Sequence, residues 1–157
     1  MTKEELMRQL ADFNEEELEA AVQAAVAAKK AREEGFYFLH HFFQQDRFSE
    51  GDHDYGVKIP VTSLVMNPND MIHGGVIAFL ADNAMGFASY MEKKRPGVTL
   101  DLNVRYHKPG RGKHLTAIGE VVSSGSLFNS LRTDIRDETG MLVATATGAF
   151  YHRKPKD

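Results

Sequence analysis

The chain has 157 residues, a length that favours one domain with enough interior for a hydrophobic core. Its formal net charge is −3 and it has no basic stripe, which disfavours nucleic acid as a partner. The absence of cysteine excludes disulfides, thiolate metal sites and a cysteine nucleophile. No apolar run reaches the roughly 18 residues of a membrane span, and the first residues lack a signal peptide's apolar stretch, so we expect a cytoplasmic protein without membrane contact.

Two helices are predicted at the N-terminus, each with its own start signal. Apolar residues recur at helical spacing and stop at Gly35, a residue typical of helix ends. Each helix begins with a pair spaced as a capping box. The pairs are Thr2 with Glu5 and Asn14 with Glu17. We therefore predict a helical extension over residues 1–35.

The next segments are less regular. The aromatic stretch 36–43 favours one more helical turn that leads into a loop. Residues 49–56 are rich in Ser, Gly and Asp and predict turns, and residues 57–61 alternate in the manner of a strand.

A helix predicted from Val76 to about Met91 is apolar on nearly every side, as expected for a buried helix. Asp82 stands in its middle, and a buried carboxylate is costly unless it is hydrogen-bonded, neutralised or active in chemistry. His73-Gly74-Gly75 precedes this helix, and its glycines let backbone N–H groups approach a ligand where the helix dipole favours negative charge. An anion-stabilising backbone and an acid are the two halves of an acyl-transfer site.

Four strands are predicted after the central helix. From Val98 to Tyr106 apolar and polar residues alternate, the clearest period-two stretch of the chain. The other strands are predicted at 114–123, 127–136 and 141–151, with a hairpin turn at 137–140. Short turns favour an antiparallel sheet, and a long apolar helix needs a sheet to cover it. We predict an α+β architecture, a curved antiparallel sheet wrapped around one long central helix.

Three segments, in this order, resemble the hotdog fold and within it the PaaI-type acyl-CoA thioesterases of the 4-hydroxybenzoyl-CoA thioesterase superfamily. They are Asn67 with His73-Gly74-Gly75, Ala81-Asp82-Asn83-Ala84, and Thr99 to Pro109. The resemblance covers about residues 57–151. It implies a hotdog thioesterase domain over 36–157 that carries the helices of 1–35 as an extension, in one structural domain overall.

The resemblance implies a role for each matching residue. Asp82 is similar to the family's catalytic carboxylate, which activates water or attacks the thioester directly. Gly74 is similar to the residue whose backbone N–H polarises the thioester carbonyl, and Asn67 to its side-chain helper. Thr99 stands where a hydroxyl is often near the attacking water. His73 is expected near the leaving sulfur or as a residue that shapes the turn.

The expected substrate-binding residues are Gly75 and the stretch Ser124-Gly125-Ser126. Relatives often have Gly followed by Arg or Lys at that stretch to meet coenzyme A phosphates, and this chain departs from the pattern. Basic residues elsewhere are then candidates for phosphate contacts. They are Lys108, Arg111, Lys113 and Arg132. No cofactor beyond the coenzyme A of the substrate, and no metal, is implied.

Helix geometry separates the two halves of the predicted site. Gly74 and Asp82 are eight residues apart, which is about 12 Å along a helix axis. One reacting carbon must lie about 3 Å from both the nucleophile and the oxyanion donors. We therefore predict a homodimer with shared active sites, built from two antiparallel central helices, or a tetramer that contains it.

Two other functions on the same fold stay open. A non-catalytic acyl-CoA-binding protein would have no need of Asp82, and an assay for released thiol separates it from an enzyme. A hotdog hydratase or dehydratase needs an Asp and a His close together near the helix entrance, and Asp70 and His73 do not keep that spacing.

Structural and metal-binding interpretations also compete. Asp82 could cap a neighbouring strand, and the glycines could serve only tight packing. The histidines suggest metal at His40-His41, or at His53 beside Asp52 and Asp54. Adjacent residues seldom converge on one ion and no His-x-x-x-His helix is present, so a metal site is disfavoured.

Overall fold

A computed structural model of the chain describes residues 1–50 and 54–153. The chain divides into two compact units, Met1–Gln44 and Gln45–Asp157. The first is helical, and the second contains the sheet and the central helix. The domain boundary that we predict after residue 35 stays a prediction.

The first unit contains three helices. They are α1 at Lys3–Leu10, α2 at Glu15–Glu34 and α3 at Phe38–Phe42. Both predicted capping boxes are confirmed: Thr2 Oγ1 accepts the Glu5 N–H at 3.2 Å, and Asn14 Oδ1 accepts the Glu17 N–H at 2.9 Å. Gly35 ends α2 in the left-handed conformation, as predicted. The aromatic segment supplies the additional helical turn as α3.

The second unit is a sheet that packs on one long helix. Its elements are β1 at Asp46–Glu50, β2 at Asp54–Pro60, a 3₁₀ turn at Ser63–Val65, α4 at Gly74–Lys93, β3 at Val98–Tyr106, β4 at His114–Ser124, β5 at Phe128–Asp137 and β6 at Leu142–Tyr151. The described strands form one antiparallel sheet in the order β1-β2-β4-β5-β6-β3. The predicted α+β architecture, a curved sheet around a central helix, is confirmed.

The prediction of a turn over residues 49–56 is wrong for both ends of that segment, which belong to strands β1 and β2. Ser49 pairs with Tyr55 across β1 and β2, and residues 51–53 lie outside the described part of the chain. A side chain at Gly56 would collide with the ring of Phe48 on the paired strand. Gly56 therefore gives room to an aromatic neighbour, and strand pairing outweighs the local turn preference.

The helix α4 buries one face on the sheet. Its buried residues are Ile77, Leu80, Ala81, Ala84, Met85, Ala88 and Ser89. The other face is only partly covered in a single chain, with Asp82 half-buried and Gly75 exposed. The expectation of a helix buried on every side is therefore wrong for one chain. Among the described helices, α4 included, none combines the length and the apolar content that crossing a membrane requires.

The strand β3 forms an edge of the sheet and carries a β-bulge. Its bounds from Val98 to Tyr106 match the predicted strand, but the register shifts between Thr99 and Asp101. Thr99 lies opposite the buried Phe150, and directly opposite residues share a face. The predicted strict alternation therefore fails at the bulge, which turns Thr99 toward α4.

Candidate active site

The first turn of α4 leaves one backbone donor unused. His73 is the N-cap, and its Nδ1 accepts the Gly75 N–H at 3.0 Å. The N–H groups of Val76 and Ile77 both donate to the His73 carbonyl. Within residues 1–50 and 54–153, the Gly74 N–H donates to no acceptor. This orphan donor at a helix N-terminus is suited to stabilising a developing negative charge.

Tyr106 holds the same turn from β3, a contact that sequence reasoning missed. Its hydroxyl donates to the Gly74 carbonyl at 2.8 Å. The ring lies so close that a Cβ on Gly74 would be 3.3 Å from it. The peptide between Gly74 and Gly75 is thus held at its carbonyl by Tyr106 and at its N–H by His73. The only sequence signal was the place of Tyr106 in the alternation, which does not identify what the ring faces.

A pocket of about 320 Å³ opens beside this turn. Its lining includes Asn67, Gly74, Tyr106 and Lys108. Asn67 belongs to the loop before the helix, and its Oδ1 accepts the Asn69 N–H at 2.9 Å. Two of the predicted oxyanion-site residues, Asn67 and Gly74, therefore line one pocket.

Asp82 and Thr99 form a second pair farther along α4. Thr99 Oγ1 donates to Asp82 Oδ1 at 2.8 Å. Asp82 is half-buried and Thr99 is exposed, because this face of α4 points away from the core of the single chain. The expectation of a fully buried carboxylate is wrong for one chain. The structure brings together the acid and the hydroxyl to which the family resemblance assigns roles around an attacking water.

One chain does not bring these two pairs together. Gly74 and Asp82 both lie on the continuous helix α4, so about 12 Å of helix axis separates them. A carbon in contact with Asp82 is out of reach of the Gly74 N–H of the same chain. The chemistry of acyl transfer needs both groups at one carbon.

The predicted substrate-binding stretch lies at the other end of α4. Lys93 Nζ donates to Ser124 Oγ at 2.8 Å and also to the Gly125 carbonyl. Arg95 donates to the Ser126 carbonyl. Lys93 and Arg95 thus bring positive charge to this stretch, and the Glu92 carboxylate, which accepts the Ser124 hydroxyl at 2.8 Å, lies there as well. The signal for this positive charge was the run Lys93-Lys94-Arg95, which sequence reasoning did not use.

The other basic candidates differ in their surroundings. Arg132 makes two hydrogen bonds to the Glu120 carboxylate, at 2.8 and 3.0 Å. The hydrogen bond and the charge of Glu120 raise the pKa of Arg132. Lys108 instead lines the pocket beside Gly74, which makes it the better candidate for contact with a ligand.

No group of three or more metal-ligating side chains occurs in the part of the chain that the structure describes. His40 and His41 are neighbours in α3, with ring centroids 5.0 Å apart. His53 and Asp52 lie outside the described residues. The residues that match the hotdog motifs are thus the candidate site.

Comparison with known proteins identifies a family that this chain resembles in sequence. The model of the thioesterase superfamily matches residues 69–144. Medium/long-chain acyl-CoA thioesterase YigI of Escherichia coli is 29% identical over 96 residues, which cover 51% of this chain and 61% of YigI. Human acyl-coenzyme A thioesterase 13 is 32% identical over 76 residues, which cover 46% of this chain and 54% of that protein. The chain thus spans less than two thirds of these curated relatives.

Two solved structures extend the comparison to most of the chain. The BH2602 protein of Bacillus halodurans, solved with CoA, is 30% identical with a TM-score of 0.82, covering 96% of this chain and 99% of BH2602. The PaaI protein of Escherichia coli has a TM-score of 0.71 at 21% identity, covering 84% of this chain and 96% of PaaI. The second likeness shows the fold alone.

Proposed function

Because the chain belongs to the thioesterase superfamily, we propose that it is an acyl-CoA thioesterase, a hydrolase of acyl or aryl thioesters. One observation supports this proposal most strongly. Among the described residues the Gly74 N–H at the start of α4 has no acceptor and lies beside a pocket, and Asp82 of the same helix accepts a hydrogen bond from Thr99 of β3. An oxyanion donor and a carboxylate are the groups that thioester hydrolysis requires.

In this mechanism the Gly74 N–H and the Asn67 side chain hold the thioester carbonyl oxygen. Asp82 takes a proton from water as the water attacks the carbonyl carbon. In the alternative route Asp82 attacks that carbon itself, and water hydrolyses the acyl anhydride on Asp82 after the thiolate has left. The Thr99 hydroxyl, which donates to Asp82 Oδ1, keeps the carboxylate oriented. The negative charge that forms on the carbonyl oxygen is stabilised at the helix start, and the coenzyme A thiolate then leaves. His73 serves the turn, since its Nδ1 already binds the Gly75 N–H.

The active site is shared between two chains in this proposal. The support is the 12 Å of helix axis between Gly74 and Asp82 together with the exposed edge of the sheet. Among the described strands β3 pairs only with β6, yet Val98, Leu100 and Leu102 expose apolar side chains there. An apolar free edge is a surface that proteins cover. In the proposed homodimer Asp82 of one chain lies near Gly74 of the other. A tetramer built from two such dimers would contain the same shared active sites.

The substrate is an acyl-CoA. YigI and acyl-coenzyme A thioesterase 13 are named for such substrates, and BH2602 was solved with CoA. Lys93 and Arg95, which donate to the Ser124–Ser126 turn, are the cations proposed to meet the coenzyme A phosphates, and they outnumber the one carboxylate there, Glu92. The metal-free mechanism and a cytoplasmic location are part of the same proposal.

The test is a panel of acyl- and aryl-CoA substrates with a reagent that traps the released thiol. Asp82→Asn keeps the shape of the side chain but cannot act as base or nucleophile, so turnover should fall by about 10²–10⁴-fold with little change in acyl-CoA affinity. Asp70→Asn is the matched control, because Asp70 has a φ of +54° that asparagine adopts readily. Hydrolysis by Asp82→Asn at the wild-type rate contradicts the mechanism. Tight binding without any thiol release by the wild type indicates a binding protein instead.

A further inference from the structure

The helix α2 presents an apolar stripe to solvent. Leu18, Val22 and Val26 follow each other at intervals of four residues and are 38%, 60% and 46% exposed. Such spacing places side chains on one face of a helix. An exposed apolar stripe along a helix of this length is typical of a surface that binds another element.

A groove runs along this stripe within the first unit, with a volume of about 600 Å³. The residues of α2 that line it are Glu15, Leu18, Glu19, Val22, Gln23, Val26, Ala27 and Lys30. Its two ends carry opposite charge, with Glu15 and Glu19 at one end and Lys30 at the other. The middle is apolar.

We propose that this groove binds the α2 helix of a second copy of the chain, in antiparallel orientation. A two-fold axis between Val22 and Gln23 maps the α2 lining residues onto one another. It places Glu15 opposite Lys30, Glu19 opposite Val26 and Val22 opposite Gln23. Leu18 falls opposite Ala27, which is itself buried in the first unit. His41 and Gln44 complete the lining outside α2. Self-complementary charge at the two ends of a surface is what an isologous contact needs.

Charge selects the antiparallel orientation over the parallel one. In a parallel pair Glu15 would lie beside Glu15, and Lys30 beside Lys30, whereas the antiparallel pair brings Glu15 of each copy to Lys30 of the other. The helix is about 30 Å long at 1.5 Å per residue, so the contact is a small interface. The contact adds to the homodimer proposed above, and in that respect it rests on that proposal. The catalytic roles of Asp82 and Gly74 do not enter it.

The test uses the absence of cysteine in the chain. Val22→Cys in the full-length protein places a thiol next to the two-fold axis, where the Cα–Cα distance of packed helices falls in the disulfide range of about 4.4–6.8 Å. Mild oxidation should convert most of this variant to a covalent dimer. Ala28→Cys is the control, because Ala28 is exposed on the same helix but lies outside the groove. We expect at least fivefold less cross-linking there.

Charge reversal then tests the orientation. In the Val22→Cys background, Lys30→Glu should reduce the cross-linking rate several-fold, and adding Glu15→Lys should restore it. Lys29→Glu makes the same change next to the groove, since Lys29 is exposed and does not line it, and should have little effect. The proposal is overturned if the Val22→Cys and Ala28→Cys variants cross-link equally. It is also overturned if the charge reversal at residue 30 leaves the cross-linking rate unchanged. A groove filled instead by a small apolar molecule would leave the Val22→Cys variant uncross-linked, which overturns it as well.

Discussion

At the residue scale, the central feature is how tightly the first turn of α4 is held. The Gly74–Gly75 peptide is fixed from both sides, by the Tyr106 hydroxyl and by His73 Nδ1. Preorganised donors stabilise a transition state without reorganising during the reaction. A side chain at Gly74 would lie 3.3 Å from the Tyr106 ring, so the ring would have to shift by a few tenths of an ångström. Tyr106 therefore holds the carbonyl of Gly74, the residue whose N–H is the proposed oxyanion donor, and we expect it to act as a positioning residue.

Tyr106→Phe tests this role. The variant keeps the ring but loses one hydrogen bond, worth about 0.5–1.5 kcal/mol, so kcat should fall about 2- to 13-fold with KM nearly unchanged. The measurement is steady-state thiol release from a good acyl-CoA substrate. Tyr151→Phe, the same change in β6, is the control and should leave both constants as they are. A change in KM alone would show that Tyr106 acts on substrate binding instead.

The pairing of Thr99 with Asp82 shows how a residue's role depends on the local register. The bulge next to Thr99 turns its hydroxyl toward the helix. A regular strand would have kept Thr99 on the face of Asp101, away from α4. One extra residue thus places the hydroxyl on the carboxylate, a use of β-bulges that recurs beside active sites.

At the scale of elements, the position of α4 on the sheet decides where the site groups lie. Gly119 of β4 lies directly under the helix, and a Cβ there would meet the Ala84 carbonyl oxygen. Backbone atoms of a helix cannot yield as a flexible side chain does. The absence of a side chain at Gly119 therefore sets how closely α4 approaches β4.

Gly119→Ala should destabilise the protein through this contact. Overpacking a close interface costs about 1–3 kcal/mol, and the cost should appear as a lower free energy of unfolding in a urea titration. Val122→Ala, an exposed position on the same strand, is the control and should change stability by less than about 0.5 kcal/mol. Wild-type stability of the Gly119→Ala variant would mean that α4 is free to shift on the sheet.

The far end of α4 is held by a buried polar network. Ser89 Oγ and His152 Nε2 are 2.7 Å apart, and Asn129 Nδ2 donates to Ser89 Oγ at 3.3 Å. The other ring nitrogen of His152 lies 3.2 Å from the carbonyls of Arg95 and Pro96. Asn129 Oδ1 is buried without a hydrogen-bond partner among the described residues, so the network is only partly satisfied. The network fixes the end of α4 to β5 and to the residue after β6.

At the scale of the whole molecule, the proposed site requires two chains. Gly74→Pro removes the oxyanion N–H at the first helical position, where proline is favoured, and His73 already has the extended backbone, with ψ 132°, that a following proline requires. Tyr106 must give way by a few tenths of an ångström, so circular dichroism should first verify the fold. Asp82→Asn removes the acid. Each variant alone should be nearly inactive.

Mixing, unfolding and refolding the two variants together should restore part of the activity. Random assembly makes about half the dimers hybrids, and each hybrid has one site with both lesions and one with neither. About a quarter of all sites should therefore recover, as measured by thiol release. If each chain held a complete site, every site would keep a lesion, and a verified hybrid population would show no recovery.

Local patterns in the sequence determined most of the elements and the motif residues. Capping boxes, the glycine at the end of α2 and the period-two strands depend on neighbours within a few positions, and they are found where the sequence predicts them. The pairs Asn67 with Gly74, and Asp82 with Thr99, also meet as the motifs imply. Their proposed catalytic roles stay predictions.

Only the tertiary structure decided which surfaces these residues face. β1 forms because β2 is beside it, Thr99 reaches α4 because of a bulge, and Tyr106 holds Gly74 across 32 positions of the chain. The half-burial of Asp82 follows from the packing of α4 on one sheet alone. Such contacts join residues distant in sequence, and their geometry depends on strand register and helix packing, which no local pattern encodes.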